Sequence, residues 1–490
     1  MFQVEALIVV IILVCYILTA HLIAVKRIKF LHESVVAILM GIFAALFIKY
    51  IFNEDVHFDT ELFFNFLLPP IIFAAGYNMH RNHFFDNFWL ISYHGIICTI
   101  LTFVILSAFA LFMNETSLVQ QKMGQDEILL LTATLCATDT VAALTLIKET
   151  EYPILNSVLF GEGIFNDAVS ILIFRSVKKY LSEDGGFSNL SMNISIHLCV
   201  DFIYLLMMSL LVGVIIGALS SLLFKYCDSL LNHPVKETSL ILLLGYASYL
   251  VSESLHLSGI LSLFCCGIIM AVYTYPNISL QAQHGTQLAF DTIGYLVEAF
   301  VFAYLGITTL QVDYEQIPWG FSLLLLLSVI LARLVTVFIL PCCYFLMNKQ
   351  FKLNTQELFV VWYSGLIRGV IAFALCITIK TANSEIIQGC VLVIVLITTI
   401  FGSILLDSFV GLIGMKRADP ELNQIQEFML SQSSETDSSV SYYKTIGEQK
   451  QQQKNLSKKG LWGGIEQNFV RPIFQKPKTN QISEISMHTM

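Results

Sequence analysis

One apolar stretch, Pro153 to Lys179 (PILNSVLFGEGIFNDAVSILIFRSVKK), is long enough to cross a bilayer yet carries Glu162, Asn166, Asp167 and Arg175 within it. A charge at mid-membrane depth costs about 2.5–3.5 kcal/mol on insertion scales. Such residues persist by pairing with one another or by serving an ion pathway. At about 100° per residue, Glu162 and Asn166 share a helix face, whereas Asp167 is turned roughly 140° from Glu162. The two carboxylates therefore meet different surroundings. One suits a structural cation and the other a cavity.

A second chemical set lies just upstream. In LTATLCATDTVAALTLIK (131–148), the run ATDTVA (137–142) places small and hydroxylated residues around Asp139 in mid-span. Hydroxyls and carbonyls of this kind complete the shell of a small alkali cation. Unwound backbone at membrane depth is tolerated where it lines a cavity. Asp139 also reads as the plain cap of a helix break, and either reading predicts an interruption here. WYSGLIRGVIAFAL (362–375) predicts another, because Gly365 and Gly369 bracket Arg368 and glycine weakens a helix. A cation at a break offsets the negative dipole end of a half-helix. The same glycines read as a GxxxG packing face, which is compatible with a break.

The chain that must position these groups has 490 residues, 56% hydrophobic and only 13% charged, with a mean hydropathy of +0.73. Soluble domains carry about 25% charge, so the expectation is an all-α polytopic membrane protein. A net charge of −9 gives no reason to expect a nucleic-acid partner. The 11 cysteines fall nearly all in apolar spans without a CxxC pair, which reads as small core residues rather than disulfides or a metal site, and no cofactor is implied. Glu5 precedes the first apolar run, and Lys26, Arg27 and Lys29 follow it. This predicts a retained first helix with its N-terminus outside, not a signal peptide.

Spanning segments are predicted at about 4–24, 33–52, 61–78, 88–113, 127–147, 153–178, 197–224, 237–253, 257–275, 288–310, 319–347, 357–379 and 386–413. Thirteen crossings put the ends on opposite sides. Eleven basic residues (Lys26, Arg27, Lys29, Arg81, Lys148, Lys225, Lys236, Lys349, Lys352, Lys416 and Arg417) fall on one side against Lys122, Lys178, Lys179 and Lys380 on the other, which places the C-terminus in the cytoplasm. Sequons agree less well: Asn114, Asn189 and Asn193 lie in loops assigned outside, but Asn277 and Asn455 lie inside. Residues 1–415 are thus expected to form the membrane domain. Residues 416–490, rich in Ser, Gln, Lys and Glu, are expected to form a mostly disordered cytoplasmic tail, in which FMLSQ (428–432) and GLWGGI (460–465) are candidate membrane or partner contacts.

Six segments in order, FFNFLLPPIIFAAGY (63–77), ATDTVA (137–142), FGEGIFNDA (160–168), SGILSLFCCGIIMAVYT (258–274), EAFVFAYLG (298–306) and GLIRG (365–369), resemble the eukaryotic sodium/proton exchangers of the monovalent cation:proton antiporter superfamily over roughly residues 30–413. GEG in place of GES, Thr140 in place of Pro, and the spacing of Gly365 and Arg368 are most similar to the vacuolar and endosomal branch. The resemblance implies an inverted-repeat antiporter fold with two crossed broken helices (131–148 and 357–379), an elevator-like motion and a homodimer. It implies that Asp167 binds cation (Na⁺ or K⁺) and proton alternately, with Asn166 as its partner and Thr138 and Asp139 beside it. It further implies a buried structural ion pair between Glu162 and Arg333, a broken-helix charge at Arg368, and a cytoplasmic funnel acid at Glu298. Ala74 departs from the family, where an acidic or amide residue is common, and the short tail departs from longer-tailed relatives.

The expected function is therefore exchange of Na⁺ and/or K⁺ for H⁺ without enzymatic chemistry. With Asn at 166 rather than a second acid, one carboxylate titrates, which favours an electroneutral one-for-one cycle. Desolvation makes a bare Asp167 carboxylate costly, so it holds either a proton or a cation, and only the neutralised site crosses the barrier. The rivals are a cation channel, which would need a ring of carbonyls or charges, and a non-transporting sensor or scaffold with the same fold. An intramembrane enzyme would need a GxSG or GxGD motif, and neither occurs. An endosomal or vacuolar membrane is preferred, the plasma membrane second. His21, His94, His197 and His256 read as interfacial or packing residues, and Glu253 and Asp407 as span-end acids that snorkel to water.

Overall fold

In lipid every backbone N–H and C=O of an isolated apolar span must be satisfied within that span, so these sequences fold as helices. The computed structural model is helical, with no strand among the described residues. Those residues are 2–26, 32–52, 63–79, 81–115, 122–149, 151–183, 192–231, 233–310, 312, 314–315, 317–346, 351–415 and 470–475. In chain order the helices are α1 (Phe2–Lys26), α2 (Glu33–Phe52), α3 (Phe63–Tyr77), α4 (Arg81–Asp86), α5 (Phe88–Asn114), α6 (Gln125–Thr134), α7 (Val141–Leu146), α8 (Pro153–Glu183) and α9 (Met192–Tyr226). They continue with α10 (Pro234–Ser254), α11 (Gly259–Asn277), α12 (Leu280–Thr309), α13 (Trp319–Leu346), α14 (Thr355–Ser364), α15 (Val370–Ile377), α16 (Ser384–Leu412) and α17 (Arg471–Phe474).

Each predicted spanning segment is helical, and both predicted interruptions are present, as α6/α7 and α14/α15. Among the described residues eight helices (α2, α5, α8, α9, α11, α12, α13 and α16) are long and apolar enough to cross a membrane. Boundaries move where polar residues carry the helix past its apolar run: α12 starts at Leu280 rather than 288, and α8 reaches Glu183.

Two expectations are corrected. Asn114 is not in an exposed loop; it ends α5 at 6% exposure, and its amide exchanges hydrogen bonds with both backbone groups of Met123. Asn193 lies within α9 rather than in a loop. Glu253, half-buried at the end of α10, accepts the Gly259 N–H at 3.0 Å. Asn189, Asn455, FMLSQ (428–432) and GLWGGI (460–465) lie outside the described residues.

The chain divides into two compact units, residues 1–72, 83–208 and 290–416, and residues 73–82, 209–289 and 417–490. In the first, α8 packs on α5, α6, α7 and α14, while α13 lies against α5 and α16. A π-helical turn in α5 (Tyr93–Ile97) widens that helix where it faces α8. In the second, small residues let backbones approach: a Cβ at Gly213 would meet the Ser262 carbonyl, and the Ser258 N–H donates to Ser209 Oγ at 2.9 Å. Ala74, in α3, is buried in this second unit.

Candidate functional site

The two broken helices meet at their breaks. Between α6 and α7 the backbone runs unwound from Cys136 to Thr140, and between α14 and α15 from Leu366 to Gly369. The Asp139 N–H donates to the Ile367 carbonyl at 2.9 Å, so each break satisfies a backbone group the other leaves open. Arg368, fully buried, donates through Nη1 to the carbonyls of Cys136 (3.1 Å) and Ala137 (3.2 Å). Its guanidinium thus binds unwound carbonyls just past the negative end of α6, the opposite half-helix rather than its own. Arg368 is held by its backbone: its N–H donates to Thr398 Oγ1 at 3.1 Å, and its carbonyl accepts from Thr399 Oγ1.

The glycines in this region read as close-approach positions. A Cβ at Gly369 would stand 2.7 Å from that of Asp139, and one at Gly163 would strike Thr140 Oγ1. Gly365 and Gly369 flank the break itself, and Gly365 lies under the Arg333 guanidinium.

The helical-wheel split in α8 holds. Glu162 forms an ion pair with Arg333 of α13, both at 0% exposure. Arg368 lies within electrostatic reach of both. Asn166, on the Glu162 side, accepts the Thr138 N–H through Oδ1 at 3.0 Å and donates through Nδ2 to Thr99 Oγ1 at 2.9 Å. It pins the unwound α6–α7 strand onto α8 and α5. Asp167 is half-buried on the other side of α8, and Asp139 is the charged group whose field it feels. Of the three carboxylates at the crossing, Glu162 has Arg333 and Asp139 accepts the Val141 N–H at 3.0 Å. Asp167 alone has neither hydrogen bond nor ion pair among the described residues. Thr138 Oγ1, on the pinned unwound segment, is buried and has no hydrogen-bond partner.

Two further acids extend the field outward. Glu298 of α12 is electrostatically coupled to Asp139 and to Glu33, and Glu33 accepts from Tyr16 Oη at 3.3 Å. Neither Glu33 nor Tyr16 stood out in the sequence, because an acid at a helix N-terminus and a tyrosine in an apolar run are ordinary. Thr99, Thr398 and Thr399 were missed for the same reason. His94 is fully buried, with Nδ1 4.0 Å from Cys98 Sγ, and is a packing residue as expected. No group of three or more metal-ligating side chains occurs among the described residues.

Crossed half-helices with a lone carboxylate on the adjoining helix define an antiporter-type architecture. The fold matches the solved sodium proton antiporter MjNhaP1 of Methanocaldococcus jannaschii with a TM-score of 0.63, covering 84% of this chain and 98% of that one at 17% identity. Residues 9–410 match the family described as sodium/hydrogen exchanger, transmembrane. Sodium/hydrogen exchanger 3 of Arabidopsis thaliana is 31% identical over 398 residues, 76% of this chain and 77% of that protein. Sodium/hydrogen exchanger 8 of Mus musculus is 30% identical over 401 residues, 79% of this chain and 68% of that protein. The chain belongs to the sodium/hydrogen exchanger family.

Proposed function

We propose that the protein exchanges Na⁺ and/or K⁺ for H⁺ across a membrane, and that Asp167 carries cation and proton in turn. The observation that carries this reading is the contrast among the three carboxylates at the crossing: two are committed to protein partners, and Asp167 is not. A carboxylate that is half-buried, unpaired and next to another acid must be neutralised, by a proton in one half of the cycle and by a cation in the other. Thr138 Oγ1, buried and unpartnered, and Asp139 are the neighbouring oxygens suited to complete a cation's shell. Asn166 acts through position, holding Thr138 against α8. Glu162, Arg333 and Arg368 keep the frame rigid. Glu298 and Glu33 attract cations toward Asp139 from the cytoplasmic side.

With a single exchanging carboxylate, one cation moves against one proton and the cycle is electroneutral. The resemblance to the vacuolar and endosomal exchangers supports an intracellular membrane and a homodimer. Proteoliposomes with a trapped pH dye and an imposed proton gradient test the reading. Added Na⁺ or K⁺ should shift internal pH in the wild type, and Asp167→Asn should abolish the shift. A surviving response in Asp167→Asn would move the site elsewhere, and rates that follow the imposed voltage would refute electroneutrality.

A further inference from the structure

Within the second compact unit, the tail segment Val470–Gln475 is seated on α9 and α11, far along the sequence from the residues it touches. Its helical turn, α17 (Arg471–Phe474), presents its carbonyl end to a set of side-chain donors on α9 and α11. Lys225 Nζ donates to the Pro472 and Ile473 carbonyls at 2.6 and 2.7 Å. The Phe474 carbonyl accepts from Ser221 Oγ at 2.8 Å and from Asn277 Nδ2 at 2.7 Å. Gln475 Nε2 donates to the Val272 carbonyl at 3.1 Å, and the Phe474 ring lies 5.5 Å from that of Tyr273.

This is a built receptor. Asn277 and Ser221 are buried, and the lysine ammonium faces the negative end of a helical turn. Backbone carbonyls are read by three donors from two helices, while the Phe474–Tyr273 contact reads the side chain. The same geometry explains Asn277: its carboxamide is committed to Ser221 and Phe474, so the sequon at Asn277 is buried and does not present an acceptor for glycosylation.

We propose that RPIFQ (471–475) is a docking motif and that the Ser221, Lys225, Val272, Tyr273 and Asn277 surface is its receptor, together forming a releasable intramolecular latch. The donors lie at the ends of α9 and α11 that the loop charges place in the cytoplasm, the same side as the tail. Few apolar contacts accompany the polar ones, and Ile473 stays 54% exposed, so the affinity in isolation is modest. Tethering on one chain supplies an effective concentration on the order of 0.1–1 mM. A peptide dissociation constant of about 0.01 mM would then keep the latch mostly closed yet open to competition.

The test is fluorescence polarisation with a labelled peptide spanning residues 466–479. Exchanger truncated after residue 469, purified in detergent, should bind it saturably. A Phe474→Ala peptide should bind at least tenfold more weakly, a comparison that needs no change in the receptor, and Lys225→Ala in the receptor should weaken binding similarly. Full-length exchanger should bind little peptide because its own tail fills the site, and full-length Phe474→Ala should bind it well. No saturable binding to the truncated protein up to millimolar peptide would overturn the proposal. Equal affinity of the two peptides would overturn it too, as would full-length protein binding as strongly as the truncated form.

Discussion

The charge balance around Glu162 makes an asymmetric prediction. Glu162, Arg333 and Arg368 are all at 0% exposure and electrostatically coupled, giving a dry cluster of one acid and two bases. The excess positive charge is offset by the Cys136 and Ala137 carbonyls. Arg333→Met leaves Glu162 with Arg368 as a remaining cation, so the cluster stays balanced. Glu162→Gln leaves two buried guanidiniums and no counter-charge. Breaking a buried pair from one side costs about 3–5 kcal/mol, and Glu162→Gln should sit at or above the top of that range, with Arg333→Met near its foot. The double variant restores the wild-type charge count, so its loss should fall well below the sum of the two, with a coupling of about 1–3 kcal/mol. Thermal unfolding of the four proteins in one detergent gives the ranking, and a chemical-unfolding cycle gives the coupling. Equal losses for the two single variants, or a double variant equal to their sum, would refute the claim that these three residues share one electrostatic account.

Other outcomes follow from the same geometry. Asn166→Ala orphans the buried Thr138 N–H and should cost about 1–3 kcal/mol of stability while slowing exchange, measured by thermal unfolding and dye-reported transport. Gly163→Ala drives a methyl into Thr140 Oγ1, an overpacking of about 1–3 kcal/mol, and exchange should return when Thr140→Ala is added. His32, just before α2, accepts the Ser34 N–H at Nδ1 and contacts Thr145 Oγ1 of α7 through Nε2; burial pushes its pKa down to about 4. The fold thus favours neutral His32, so its contribution is complete above about pH 6.5 and is lost as pH falls from there toward about 4. His32→Gln should flatten that acid limb, read as melting temperature between pH 7.5 and 5.5.

The sequence revealed elements better than their meetings. Hydropathy located the apolar helices because lipid leaves them no other backbone solution. Asp139 with its small neighbours, and Gly365 with Gly369, marked the breaks because those residue types weaken a helix locally. The wheel angle separated Glu162 from Asp167 for the same local reason. What local physics does not encode is which distant group answers each polar one. The sequence suggested a dipole role for Arg368 but not that it serves α6; Asn166 shared the Glu162 face without revealing Thr99. The loop reading of Asn114 failed because its partner, Met123, comes from irregular backbone with no signature of its own. The docking of 470–475 was invisible, since six residues of ordinary composition carry no periodicity.

The mutual capping of the two breaks also bears on biogenesis. Arg368 and Cys136 are separated by 232 residues of chain. At about 5–20 residues per second, the α6–α7 break waits roughly 10–50 s after synthesis for the guanidinium and carbonyl that complete it. During that interval the nascent protein holds unsatisfied carbonyls and a pair of short, weakly anchored half-helices inside the membrane or its insertion machinery. The first half of the molecule is therefore an obligate dependent of the second. A polypeptide stopped short of Leu366 should be recognised by membrane quality control as incomplete, however well its earlier helices have been inserted.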